Sequence, residues 1–315
     1  MPVPTQDDAS ALARRLFGVG VREIARFPTG LCHYVYDVVL DDGRNVVVRL
    51  ASDETRAILA GGIYWHDRLR RVGVPIPALL YADLDPPGGF PVMVLERLPG
   101  RDLTFEYGNL TSDQKRSLAR TIVGIQDRVG TLPQAAGFGF ALSYDDAGLR
   151  TSWLDVVLAD LERSRRRIIA AGIVDVAHVD RVGERVQTCA PYLRAVEPRP
   201  FLDDLTTKNV LVLNGALSGI VDTDCACFGD PLFTVALTWM ALLGQRLETD
   251  YIDYWCQQLR LTREQEQALR LYTAVFCVGF LSELGQRFNK DEPAPVDPAY
   301  FHHLERTLDC LLAEG

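Results

Sequence analysis

The 315-residue chain is 48% hydrophobic and 24% charged, with a net charge of −9, ordinary values for a globular protein with length enough for a full core. The acidity argues against a nucleic-acid binder, which needs a basic face, and no apolar run reaches the ~18–20 residues of a membrane span. The start, MPVPTQDDAS, is polar and acidic rather than a secretion signal. A cytoplasmic protein is expected.

Taken in order, ASALARRLFG from Ala9 has the spacing of a short amphipathic helix. Period-two alternation then predicts antiparallel strands near 21–27, 33–40 and 45–51, the last two joined by an Asp42-Gly43 hairpin. A helix from Thr55 to Arg71 ends at GVPIP. ALLYADL and PVMVLERL supply two more strands. Residues 1–98 therefore form a small lobe, a five-stranded sheet with one helix inserted after the third strand.

Residues 99–315 read as a larger, mainly helical lobe. TSDQKRSLARTIVGIQDRV opens with Thr111 and Ser112 as a cap, and two more helices run from Trp153 to about Leu193. VLVLNGALSGIV is a hairpin about Asn214-Gly215. Everything beyond Pro231 is helical, apart from a Pro-rich loop at Glu292–Pro298. The overall class is α+β.

Seven cysteines and five histidines are present. Cys225 and Cys227 are spaced CxC rather than as a metal framework, so the thiols read as reduced core residues and not as a zinc site. Thirty arginines stand against three lysines, Lys115, Lys208 and Lys290.

One lysine lies in the most unusual stretch of the chain, LDDLTTKNVLV, Leu202 to Val212. Asp204 and Asn209 lie on the loop entering the hairpin, and Asp222 lies at its exit. A hairpin folds its ends together, so the three should converge. Two carboxylates and an amide oxygen suit Mg²⁺ and a hydroxyl to be activated, and Lys208 adds a point charge suited to phosphate. A plain polar turn, with Asp203 or Asp204 capping the loop, would explain one such aspartate but not the set.

With GIVDTDCACFGDP after it, this stretch resembles the signature of the aminoglycoside phosphotransferase and choline kinase family, which has the two-lobed protein-kinase-like fold. The likeness spans about residues 20 to 240. It includes FPTGLCHYVYDV, VVVRLAS and VMVLERLPGRDL, the last as the inter-lobe hinge. It implies that Asp204 takes or orients the proton of an acceptor hydroxyl. It implies that Asn209 and Asp222 hold Mg²⁺ against ATP, or GTP, and that Arg49 meets the α- and β-phosphates. Gly30 would lie over the phosphates, and adenine would bond the carbonyl of Glu96 and the amide of Leu98. Lys208 is expected to contact the γ-phosphate during transfer. Asp224 would join the metal site or face the substrate, and Asp230 would brace the catalytic loop.

Three positions depart from the family pattern. Leu202 replaces a histidine, and Arg49 replaces a lysine for which it is not equivalent. The helix after Arg49 offers only Glu54 at its start and Asp67 inside it, so no glutamate stands ready to orient Arg49.

The implied activity is transfer of the γ-phosphate to a hydroxyl of a small molecule, with a cationic, antibiotic-like amine favoured. Asp250, Asp253 and Glu283, on the helices where relatives hold cations, are candidate contacts. No nucleic-acid, membrane or obligatory protein partner is expected. Two rival readings remain. One is a non-catalytic nucleotide-binding relic, motivated by Arg49. The other is a phosphatase using Asp222 and Asp224 as a DxD motif, which requires a parallel βαβ sheet.

Overall fold

The computed structural model describes residues 3–27, 32–287 and 295–313. Helix α1 (Gln6–Phe17) opens the N-terminal lobe, started by a capping box between Thr5 and Asp8 and stopped by left-handed Gly18. Strands β1 (Val21–Arg26), β2 (Tyr34–Leu40) and β3 (Asn45–Leu50) precede helix α2 (Arg56–Arg71), then β4 (Leu79–Asp83) and β5 (Val92–Glu96). They form one sheet in the order β1-β2-β3-β5-β4, with every pair antiparallel. Alternation sorts its two faces. Tyr36, Val38, Val46 and Val48 pack under α1 with Ala9 and Ala13, while Met93 and Leu95 pack with Leu59 of α2. Each fully buried aliphatic side chain contributes roughly 1.5–3 kcal/mol.

The hinge leads into β6 (Arg101–Asp102), α3 (Leu103–Glu106) and α4 (Ser112–Val129), whose capping box joins Thr111 and Gln114. There follow β7 (Gly139–Ala141), α5 (Trp153–Ala171), α6 (Ala177–Ala195), β8 (Arg199–Phe201), β9 (Val210–Leu213), β10 (Ala216–Ile220) and β11 (Ala226–Gly229). Helices α7 (Leu232–Gly244), α8 (Asp250–Leu259), α9 (Arg263–Ser282) and α10 (Pro298–Ala313) complete the lobe. The β9–β10 turn has Asn214 and Gly215 both at positive φ, the geometry that matches the twist of a two-residue hairpin.

Two small sheets belong to this lobe, in the orders β10-β9-β6 and β7-β11-β8. Their strand pairs are antiparallel too. Among the described residues there is thus no parallel βαβ sheet, and the phosphatase reading fails on that point. The seven cysteines are unpaired, but Cys32 and Cys310 are exposed, which corrects the reading of all the thiols as core residues. Part of the Glu292–Pro298 loop lies outside the described residues, and Pro298 itself begins α10. Among the described residues no helix is long and apolar enough to cross a membrane.

Candidate active site

The loop from Leu202 to Asn209 is held from below by α4 and α7. Gln126 accepts from the Leu202 N–H at 2.9 Å and donates to its carbonyl at 2.6 Å. The Thr234 hydroxyl sits between the Leu202 carbonyl and the Asp203 carbonyl, at 2.8 Å from the latter, and Thr238 reaches the Leu205 carbonyl at 3.2 Å. Leu202 itself is buried in the large core. The missing histidine is replaced by packing plus an amide and two hydroxyls, none of which announces itself in the sequence.

Within the loop, Asp204 Oδ1 accepts from the Thr206 N–H at 3.1 Å, an Asx-type turn. The Asn209 and Val210 amides both donate back to the Thr206 carbonyl, at 3.0 and 3.2 Å. The Asn209 side chain lies 3.4 Å from the Asp204 carbonyl. The hairpin then closes: Val221 N–H donates to the Asn209 carbonyl at 2.9 Å, which sets Asp222 beside Asn209. Asp222 has φ +63°, a left-handed conformation that costs a non-glycine residue ~1–3 kcal/mol and clusters at functional sites. It turns a 58% exposed carboxylate into the cleft. Asp204, Asn209 and Asp222 therefore converge, as the hairpin argument expects.

Arg49, on β3, faces them across the cleft floor and is only 7% exposed. Its Nη1 donates to Asp224 Oδ1 at 2.8 Å and its Nη2 to Asp224 Oδ2 at 2.6 Å, a two-pronged fork. Nη2 also lies 3.1 Å from Asp222 Oδ1. His33 Nε2 approaches Asp224 Oδ2 at 3.3 Å. The acid absent from α2 is thus supplied by the other lobe. Asp67, the one acid inside α2, lies instead 3.6 Å from His66.

Although the Asp222 side chain opens to the cleft, desolvation of its carboxyl among the crowded loop residues and the neighbouring Asp224 push it up, and Arg49 offsets only part of this. Burial would raise Asp224 as well, but Arg49 and His33 hold it well below the usual carboxylate range. Asp203 is pushed up to about 7 by burial, then by Asp204 and Asp222. Its Oδ1 lies 3.8 Å from Cys225 Sγ.

At the hinge, the Glu96 N–H donates to the Ala78 carbonyl at 2.9 Å, while among the described residues the Leu98 N–H donates no hydrogen bond. Leu98 packs onto Gly219, where a Cβ would lie 2.4 Å from Leu98 Cδ1. Lys208 is exposed. Among the described residues it makes no hydrogen bond or ion pair, but its charge is felt by Asp102 and Glu283. Gly30 lies outside the described residues. Among the described residues, the Asp230 carboxylate makes no hydrogen bond to the Leu202–Asn209 loop that the resemblance expects it to brace. It accepts from Tyr192 at 2.8 Å, Tyr272 at 2.9 Å and the Leu232 N–H at 3.0 Å, fastening the start of α7 to α6 and α9. Asp250 is engaged by Lys115 at 2.9 Å, so it serves the α4–α8 contact.

The donor set fits a hard divalent cation. Asn209 and Asp222 offer oxygen ligands, and the raised Asp222 carboxyl is a site where added positive charge is favourable. Among the described residues no three His, Cys, Asp or Glu side chains form a metal centre. Two protein ligands, with substrate phosphates and water making up the rest, is the usual arrangement for Mg²⁺.

An antiparallel lobe hinged to a helical lobe, with an aspartate loop and a hairpin aspartate facing a buried cation, defines a kinase-like phosphotransferase. A model of the phosphotransferase enzyme family matches residues 23–272, and the chain belongs to that family. Among curated proteins nothing matches. Among solved structures, a thermostable mutant of aminoglycoside phosphotransferase APH(4)-Ia, in ternary complex with ADP and hygromycin B, superposes with TM-score 0.69 and 17% identity over 98% of this chain and 99% of that one. The GDP and kanamycin complex of APH(2")-IIia gives TM-score 0.72 and 18% identity, again over 98% and 99%. At such identities the superpositions establish the fold alone, which is the two-lobed one expected from LDDLTTKNVLV and its neighbours.

Proposed function

We propose that the chain moves the γ-phosphate of a nucleoside triphosphate, ATP with GTP also in range, to a hydroxyl of a small molecule. The observation that carries the reading is the convergence of Asp204, Asn209 and Asp222 opposite Arg49. In this reading Asp204 orients the acceptor hydroxyl and receives its proton as the oxygen bonds to the γ-phosphorus. The bond from that phosphorus to the β-phosphate oxygen breaks, and the nucleoside diphosphate leaves. Asn209 and Asp222 would hold Mg²⁺, which neutralises phosphate charge when bound. Arg49 supplies further positive charge at the α- and β-phosphates. The Glu96 carbonyl and the Leu98 amide form the adenine edge, and Lys208 meets the phosphoryl group in transit. Such a site works by positioning and charge rather than by covalent chemistry.

For the acceptor, the complexes of the similar folds with hygromycin B and kanamycin support a hydroxylated, amine-bearing compound of the antibiotic type. The test is phosphoester formation, followed by ³¹P NMR, with ATP or GTP, Mg²⁺ and a panel of hydroxylated amines. Asp204→Ala should lower turnover about 10²–10⁴-fold, the usual worth of a positioned acid or base, and leave ADP affinity nearly intact. Asp222→Ala should instead weaken Mg-nucleotide binding. Nucleotide binding without transfer to any acceptor would return the relic reading.

A further inference from the structure

Helix α2 carries two adjacent buried glycines, Gly61 and Gly62, in its interior. Each costs a helix about 1 kcal/mol relative to alanine, so the pair calls for a reason in packing. A Cβ on Gly61 would stand 2.6 Å from the Asp224 carbonyl oxygen, and one on Gly62 would stand 2.6 Å from Asp224 Oδ1. The helix is hollowed at the place where Asp224 lies against it. Inside that hollow Asp224 is 14% exposed and Arg49 8% exposed by side chain. The two carboxylate oxygens face the two terminal guanidinium nitrogens one to one.

We propose that Asp224 is the positioning residue for Arg49, and that it is not a metal ligand. The proposal rests on the phosphotransfer reading above and deepens it. A helix-borne acid would let the N-terminal lobe aim its own cation. Here the cation is aimed only when the segment after β10 reaches under α2, so docking of the lobes and presentation of Arg49 to the nucleotide are one event. The two aspartates divide the work. Asp224 is enclosed and chelated by Arg49. Asp222 is open to the cleft and touched by one nitrogen at 3.1 Å, which leaves it to the cation. Arginine suits this joint because a planar fork can match both oxygens of one carboxylate, whereas an ammonium is a single point of charge.

The experiment moves the carboxylate from one lobe to the other in the full chain. Asp224→Ala, Gly62→Glu and the double variant are compared for ADP affinity by calorimetry, with and without Mg²⁺. Asp224→Ala should raise the Kd about tenfold or more in both conditions, within the range of inter-site couplings. Gly62→Glu alone should be harmful, because it forces a second carboxylate against Asp224. In the double variant the glutamate takes the vacated hollow, and affinity should return to within a few-fold of wild type. If Asp224→Ala does not fold, Asp224→Asn keeps the shape without the charge and is expected to raise the Kd in the same direction. An unchanged Kd overturns the proposal. So does a loss seen only with Mg²⁺, which would make Asp224 a metal ligand, and so does equal harm from Gly62→Glu in both backgrounds. A wild-type chain that binds no ADP sinks the phosphotransfer reading and this proposal together. A wild type that binds ADP no better than Asp224→Ala sinks this proposal alone.

Discussion

Gln126 and Leu202 form a closed two-bond ring: the side-chain amide accepts from the Leu202 N–H at 2.9 Å and donates to its carbonyl at 2.6 Å. The ring fixes the Leu202–Asn209 loop two residues before Asp204. Gln126→Leu would leave the Leu202 amide without a partner, while Thr234 still serves the carbonyl. An orphaned buried donor costs about 1–3 kcal/mol, and urea unfolding should show a loss of that order. Turnover should fall more than ADP affinity, because the loop carries the proposed proton acceptor. Unaltered stability would mean that the ring is not made in solution.

Gly229, the last residue of β11, is fixed by an aromatic ring. A Cβ there would stand 2.1 Å from Trp153 Cε3. The indole has nowhere to go: it packs edge-on against Phe201, Phe233 and Tyr272, and its N–H donates to the Tyr272 hydroxyl at 2.8 Å. Gly229→Ala should destabilise by at least the ~1–3 kcal/mol of an overpacked core. Thermal denaturation reads this directly, and a melting temperature equal to wild type would show that the ring can yield.

Much of this was legible in the chain because it rests on local rules. The five strands of the first sheet follow period-two runs and turn residues, and the Asn214-Gly215 hairpin follows from its turn chemistry. That hairpin alone implies that Asp204, Asn209 and Asp222 meet. The short strands β6, β7, β8 and β11 were not legible. Segments of two to four residues carry no period, and they are strands only because tertiary contact pairs them. The partner of Arg49 was hidden for a related reason. Asp224 lies 175 residues further along the chain, and only the fold brings its carboxylate beneath the two glycines of α2. Gln126 and Thr234 look like any polar residues on helices until the loop lies over them.

Lys208 is one of only three lysines in the chain. Lys115 is buried and engaged by Asp250, whereas Lys208 stands exposed on the loop beside Asn209. If it meets the phosphoryl group in transit, its contribution belongs to the transition state. Lys208→Met should then lower kcat by about 10²-fold, as for loss of one preorganised donor, with little change in nucleotide KM. Steady-state kinetics with varied ATP separates the two parameters. An unchanged kcat would make Lys208 a solvated loop residue.

The last expectation concerns pH and the crowding of carboxylates around the loop. Asp203 is pushed up to about 7 by burial and by Asp204 and Asp222, whereas in the unfolded chain it would titrate near ~3.9. Between those values the folded state holds a proton that the unfolded state has lost. Stability therefore falls as pH rises through that window and levels off above it. An asparagine side chain cannot titrate but keeps the shape of the protonated acid, so the Asp203→Asn variant escapes the loss. Melting temperatures of wild type and Asp203→Asn, taken without nucleotide or Mg²⁺, should diverge in favour of the variant from pH 4 to pH 7 and stay apart above it. A difference that is constant across the range would mean that Asp203 ionises as freely in the folded protein as in the unfolded chain.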